Sequence, residues 1–248
     1  MKSEGVGRRI GSGLPAINGD SSLDTLVIAA HELKSPLAVM RQLALELQMG
    51  HLDTKTARTV ARQIQLLSER SLRHSSDLTK YKQLQTTLFA TSPVHAREVW
   101  RDVATEISPL YAAMGKSLAL RSSVRAPLVV ANYDLLRRIL LNFVDNALHY
   151  SDADGVVELY TKLVDRKQYV RLAVRDRGPA LPQGVWRAIY SDAISMQPVH
   201  ARPSSSGLGL RIACEFARSM NASVGATRHR DGATFYVDVP VSKQLSLL

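Results

Sequence analysis

The chain has 248 residues, of which 45% are hydrophobic and 22% charged, the balance of an ordinary globular protein with room for one large domain or two modest ones. Its longest apolar runs, such as Leu26 to Ala30, fall far short of the ~20 residues a membrane-spanning helix needs, and no apolar core follows Lys2, Arg8 and Arg9 to make a secretory signal, so no membrane span and a cytoplasmic location are expected. The lone Cys214 excludes an internal disulfide and a cysteine metal cluster. The net charge of +10 is spread over both halves of the chain without a run of five basic residues, which suits a solvated basic surface as well as a nucleic-acid patch; a DNA-binding protein has only this charge behind it and no helix-turn-helix, so no nucleic-acid partner is expected.

The first twenty residues, rich in Gly and Ser, lack hydrophobic periodicity and read as a linker or disordered tail (1–20). Leu26, Ala30, Leu33, Leu37, Met40, Ala44 and Leu47 then alternate spacings of four and three, the seam of a coiled-coil helix, which Gly50 stops. After a turn that Asp53 or Thr54 can cap, a second seam runs through Ala57, Val60, Ile64, Leu67, Ser71, His74, Leu78, Tyr81 and Leu88. Together they predict an antiparallel helical hairpin over residues 21–90. A hairpin alone leaves part of each apolar stripe wet, and pairing two hairpins into a dimeric four-helix bundle covers it. A homodimer is therefore expected, with docking of a single hairpin against the rest of the chain as the alternative.

From residue 91 to 248 the elements mix, as in an α+β domain. A helix fits His95 to Met114, strands fit Leu118 to Arg121 and Leu128 to Ala131, and a further helix fits Asp134 to Tyr150. Val156 to Leu163 and Tyr169 to Val174 flank an Asp165-Arg166-Lys167 turn as a hairpin. Residues 178–206 read as a mobile loop holding one short helix. A last helix opens at Gly207, with strands near Ser223 to Arg228 and Thr234 to Val239 after it.

His31 lies one residue off the first seam, where a ligand can reach it, in the run His31-Glu32-Leu33-Lys34-Ser35-Pro36-Leu37. Neutral imidazole can attack phosphorus through an open ring nitrogen. Glu32 can orient the ring and accept its proton, and Ser35, one helical turn on, can position a water. Pro36 bends the helix just beyond. Taken alone, a His-Glu pair on a helix is a solvated surface.

In the second half, Leu136, Leu140, Phe143 and Ala147 form one buried stripe, which sets Asn142 and Asn146 together at i, i+4 on a neighbouring face, looking into one cavity. An amide oxygen is a hard ligand for Mg2+ and an amide nitrogen can donate to phosphate. Two asparagines on a helix are otherwise ordinary surface. Asp176-Arg177-Gly178 ends an apolar strand, and Gly207-Leu208-Gly209-Leu210 opens a helix, where small residues let backbone amides approach a phosphate. A Walker-type loop is absent, Gly5-x-Gly7 follows no strand, and the remaining histidines show no metal-site pairing.

The run around His31 resembles the phosphoacceptor box of sensor histidine kinases, with Lys34 and Ser35 as conservative differences. Asn142 to Ser151 resembles the asparagine box of their ATP-binding domain, the fold shared with gyrase-type ATPases. Asp176-Arg177-Gly178 is similar to the first glycine box, although Pro179-Ala180 stand where a second glycine is usual, and Gly207 to Leu210 is similar to the second. A phenylalanine box is represented only by Trp186 to Tyr190. The resemblance spans about residues 21–243. It implies a dimerisation and histidine phosphotransfer hairpin (21–90) followed by a catalytic, Bergerat-type α/β sandwich ATP-binding domain (91–248). The cofactors implied are ATP and Mg2+. In that scheme Asn142 would hold Mg2+, Asn146 and His149 would lie at the phosphates, Tyr150 would border the adenine, and Asp176 would accept a hydrogen bond from the adenine amino group. His149 replaces the usual lysine or arginine. The phosphoryl group would pass to His31 and on to an aspartate of a response regulator receiver domain, with the signal expected from a separate sensor protein or from a sensor region missing from this chain. A catalytically degenerate kinase, acting as a phosphotransfer or docking protein, is the alternative.

Overall fold

The computed structural model describes residues 34, 36–84, 89–121, 127–152, 155–180, 183–190 and 208–243. Helix α1 covers residues 36–48 and α2 runs Thr54–Leu84. Between them Gly50 takes a φ of 71°, a left-handed conformation that ends a helix at little cost only for glycine. Asp53 starts α2. Its Oδ1 accepts the backbone N–H of Lys55 at 2.8 Å and of Thr56 at 2.9 Å, and its Oδ2 accepts the Thr56 hydroxyl at 2.8 Å. These bonds select Asp53 over Thr54 as the cap and hold its carboxyl below the usual range.

Within one chain α1 leaves apolar surface wet, since Leu37, expected on the seam, is 56% exposed and Leu45 43%. The C-terminal half of α2 instead takes the course expected as the alternative. It docks against the rest of the chain, with Leu78 and Tyr81 packed on the core and Asp77 buried.

The remaining elements are β1 (Ser92–Val94), α3 (Ala96–Ala113), β2 (Ser117–Arg121), β3 (Val129–Ala131), α4 (Tyr133–Tyr150), β4 (Val156–Val164), β5 (Tyr169–Arg175), α5 (Gln183–Tyr190), α6 (Leu208–Arg218), β6 (Ser223–His229) and β7 (Gly232–Pro240). Five strands form one sheet in the order β2-β4-β5-β7-β6, antiparallel except for the β2–β4 pair. β1 and β3 make a separate antiparallel pair. In α3, Val99, Trp100, Val103, Ile107 and Tyr111 recur at helical spacing and are buried, while β5 buries Val170, Leu172 and Val174 at alternate positions and β7 is buried on both faces from Gly232 to Val239. The apolar faces of the helices close on the sheet as a helical layer over it. Leu136, Leu140, Phe143 and Ala147, the stripe expected on α4, are all buried in that core, and Phe143 meets Phe235 of β7 with ring centroids 6.1 Å apart.

The expected first hairpin turns on Asp165, Arg166 and Lys167, which all take positive φ (47°, 49° and 66°). β1 was not foreseen. α5 is the short helix expected in the loop, and the rest of residues 191–207 lies outside the described residues.

Candidate active site

α4 is fixed at both ends and in its middle. Asn132 caps its start by accepting the N–H of Leu135 at 3.1 Å. Tyr111 of α3 donates its hydroxyl to the Val144 carbonyl at 2.7 Å, and burial pushes that phenol far above its ordinary pKa, so it stays a donor. At the C-terminus the Lys116 ammonium donates to the carbonyls of Leu148 (2.6 Å) and Ser151 (2.7 Å) and to the Ser151 hydroxyl (3.1 Å). A cation on the last carbonyls of a helix also offsets the negative end of its dipole.

The helix so held presents Asn142, 7% exposed, whose Nδ2 is buried and has no hydrogen-bond partner among the described residues. Gly209, near the start of α6, lies against it. A Cβ at that position would stand 2.9 Å from Asn142 Oδ1, so glycine here leaves the amide its space. Asn146 is half-buried one turn on, and Tyr150, also half-buried, ends the helix. The backbone of His149 is in the last turn of α4, but its side chain lies outside the described set, as do Gly207 and the side chain of Leu208.

Asp176 follows β5 and is 3% exposed. Its Oδ1 accepts the N–H of Ala233 at 2.9 Å, and its own N–H donates to the Ala233 carbonyl at 3.0 Å. Gly178 packs on the end of α4, where a Cβ would come within 2.2 Å of the Tyr150 carbonyl. The Asp152 N–H donates to the Arg177 carbonyl at 2.8 Å beside it. The asparagine box and the first glycine box, separate in sequence, therefore touch at Tyr150 and Gly178, while the second glycine box touches the asparagine box at Asn142. His31, Glu32 and Ser35 lie outside the described residues.

A cavity of about 430 Å³ opens between α2, α3 and α4, and it takes in Asn142 and Asp145 as well as Arg73, Asp77, Glu106 and Arg138. Asn146 is not on its wall: a step of four residues turns the helix by about 40°, which carries the second amide away from α2. Asp77 ion-pairs with Arg138, which also donates to the Ser76 hydroxyl at 3.2 Å, and Lys80 pairs with Asp134. Burial raises the Asp77 carboxyl while Arg138 pulls it back. Among the described residues no group of three or more His, Cys, Asp or Glu side chains is placed to hold a metal, and no helix is long and apolar enough to cross a membrane.

Motif reading missed Lys116 and Gly232. Gly232 has a φ of 125°, and a Cβ there would lie 2.4 Å from the Asp176 carbonyl oxygen. The Asp231-Gly232 pair between two alternating runs was the available sign of a hairpin turn, though not of its contact with Asp176.

Residues 131–243 match the family described as "Histidine kinase-, DNA gyrase B-, and HSP90-like ATPase". That part of the chain carries a histidine-kinase-type ATPase domain. Over a longer stretch the chain is similar to the adaptive-response sensory kinase SasA of Prochlorococcus marinus strain MIT 9313, 26% identical over 224 residues that cover 88% of this chain and 58% of the relative. The protein of the same name from Synechococcus sp. strain CC9311 is 26% identical over 223 residues, 87% of this chain and 56% of its own. The chain thus spans somewhat more than half the length of these curated relatives. Among solved structures, the fold is shared with full-length ShkA in complex with AMPPNP (TM-score 0.60, 22% identity, 92% of this chain and 47% of that one). It is shared also with histidine kinase ThkA in complex with the response regulator protein TrrA (TM-score 0.60, 16% identity, 89% of this chain and 63% of that one).

Proposed function

We propose that this chain is the catalytic core of a two-component histidine kinase, which transfers the γ-phosphoryl group of ATP to His31 and from there to an aspartate on a response regulator receiver domain. The observation that carries the reading is the buried Asn142 amide, with an N–H lacking a partner among the described residues, set against Gly209. A buried donor of this kind costs about 1–3 kcal/mol unless a ligand or water meets it, and phosphate oxygens at the start of α6 would meet it. Along α4 the eight-residue step from Asn142 to Tyr150 spans about 12 Å, so the phosphates and the adenine of one nucleotide would have separate footholds.

In this reading Asp176 accepts from the adenine amino group, Tyr150 borders the base, and Asn146 and His149 contact the phosphates. Gly207, Leu208 and Gly209 let backbone N–H groups approach them at a helix N-terminus. Asn142 offers an amide oxygen suited to Mg2+, which when bound would neutralise charge on the leaving phosphates. His31 attacks the γ-phosphorus through a ring nitrogen, forming the N–P bond as the bond to the ADP oxygen breaks, and Glu32 takes the ring proton. Ser35 positions water for dephosphorylating the regulator. The hairpins pair as a homodimer.

Incubation with γ-labelled ATP tests the assignment. The parent protein should acquire an acid-labile, base-stable label and His31→Gln should not. A His31→Gln variant that labels like the parent would sink the choice of acceptor. The alternative, a degenerate kinase that docks or relays phosphate, rests on Ala180 in place of glycine; it takes over if the folded chain binds no nucleotide.

A further inference from the structure

We propose that Arg175 is a positioning residue for nucleotide selection, clamping the β6–β7 turn onto Asp176 and so fixing the direction of that carboxylate. The inference rests on the reading of Asp176 as the adenine contact. The Arg175 side chain is only 14% exposed although it leaves the end of a strand. Its Nη1 donates to the Asp176 carbonyl and reaches the carbonyls of Asp231 at 3.3 Å and Ala233 at 3.5 Å, while its Nη2 holds Asp231 Oδ1 at 2.6 Å.

The turn returns the grip. The Asp231 carbonyl accepts the N–H of Gly178 at 3.1 Å, and the Ala233 N–H donates to Asp176 Oδ1 at 2.9 Å. Gly232 fills the space between, where a Cβ would meet both the carbonyl oxygen and Oδ1 of Asp176 and Arg175 Nη1 within 2.8 Å. Residues 175–178 and 231–233 therefore form one closed ring of hydrogen bonds with the guanidinium at its centre. Only arginine has a rigid fork of donors that can serve carbonyls on one side and a carboxylate on the other; a lysine is a point charge and serves fewer.

A carboxylate held still accepts from the amino group of adenine and repels the carbonyl that guanine carries at the same ring position. Let it swing and the discrimination shrinks, because selectivity of this kind depends on leaving the wrong partner's polar atoms unmatched. Loss of Arg175 should therefore weaken ATP and spare GTP.

Calorimetric titration of the full chain with ATP and with GTP, alongside autophosphorylation rates, tests the clamp. Arg175→Met should raise the ATP Kd and KM about tenfold, the size of one charge-assisted hydrogen bond, while the GTP Kd moves less than about twofold and kcat stays near the parent's. Arg175→Lys should recover part of the ATP preference, and Asp231→Asn should shift it in the same direction as Arg175→Met by less. Equal loss of ATP and GTP, or none, overturns the proposal; if Arg175→Met fails to fold, Arg175→Lys and Asp231→Asn decide the matter by the same criterion. Asp176→Asn separates the two levels. If it keeps the parental ATP preference, the adenine reading falls and the clamp's role with it; if it loses the preference while the Arg175 variants keep it, the clamp alone is wrong.

Discussion

Lys116 reaches from the loop after α3 to the last carbonyls of α4, and its ammonium is the closing contact of the helix that carries the asparagines. Lys116→Met keeps the aliphatic stem and deletes those bonds, so a urea melt should show a loss of about 1.5–3 kcal/mol, the range for hydrogen bonds to a charged group. A substitution with no effect would mean that water replaces the ammonium fully. A second residue reports on pH. Burial and the neighbouring Arg175 depress the His229 pKa below its ordinary 6.5, with Asp231 opposing and Thr234 Oγ1 bonded to Nε2 at 2.9 Å. The unfolded chain therefore binds this proton more readily than the native one, and stability is lost as pH falls below about 6.5. In His229→Gln, which keeps a polar partner for Thr234, the thermal midpoint should fall less steeply between about pH 7 and 5. Asn142 and Asp176 were legible in the sequence because each sits in a local motif. Lys116 and Arg175 were not, because the partners that tie them to other elements lie 32 to 58 positions away and follow no repeating offset.

The docking of α2 on α6 and α4 follows the alternative that the heptad pattern left open rather than the pairing it favoured. Counting seam positions placed Leu37 and Leu67 inside a hairpin; Val60 and Ser71 of the second seam are buried, but so are Leu66 and Asp77, one step off it, and the surface facing Asp77 carries Arg138 of α4. β1 was missed for a different reason. Three residues with Pro93 in the middle carry no alternation to read, and the strand exists only through pairing with β3. The Asp77–Arg138 pair, with side chains 8% and 16% exposed, should matter more than an exposed bridge. Arg138→Met leaves a buried carboxylate without its principal partner, and about 3 kcal/mol of stability should go with it; Asp77→Asn with Arg138→Met together should cost less than Arg138→Met alone. A double variant worse than the single would show that the pair itself is not what holds α2 in place.

For the molecule as a whole, the apolar residues that α1 leaves wet are the ground for expecting a second copy. Leu37→Lys combined with Leu45→Lys should shift sedimentation from dimer to monomer without changing the melt of the ATPase domain, since neither side chain touches its core; a parent protein that sediments as a monomer at micromolar concentration would refute the dimer outright. The layered α+β architecture was readable because every long element has its own periodicity, whereas the strand order, with β7 inserted between β5 and β6, has no signature in any one segment. That insertion has a bearing on when, during synthesis, the proposed nucleotide site would be complete. Asp176 is tied to Ala233 across 57 positions, so a nascent chain that has already emerged through its asparagine box and its first glycine box still lacks the backbone that holds the carboxylate. On the proposed reading of Asp176, recognition of the base would arrive only with β7, and a product released short of that strand would hold most of the motifs and none of the selectivity.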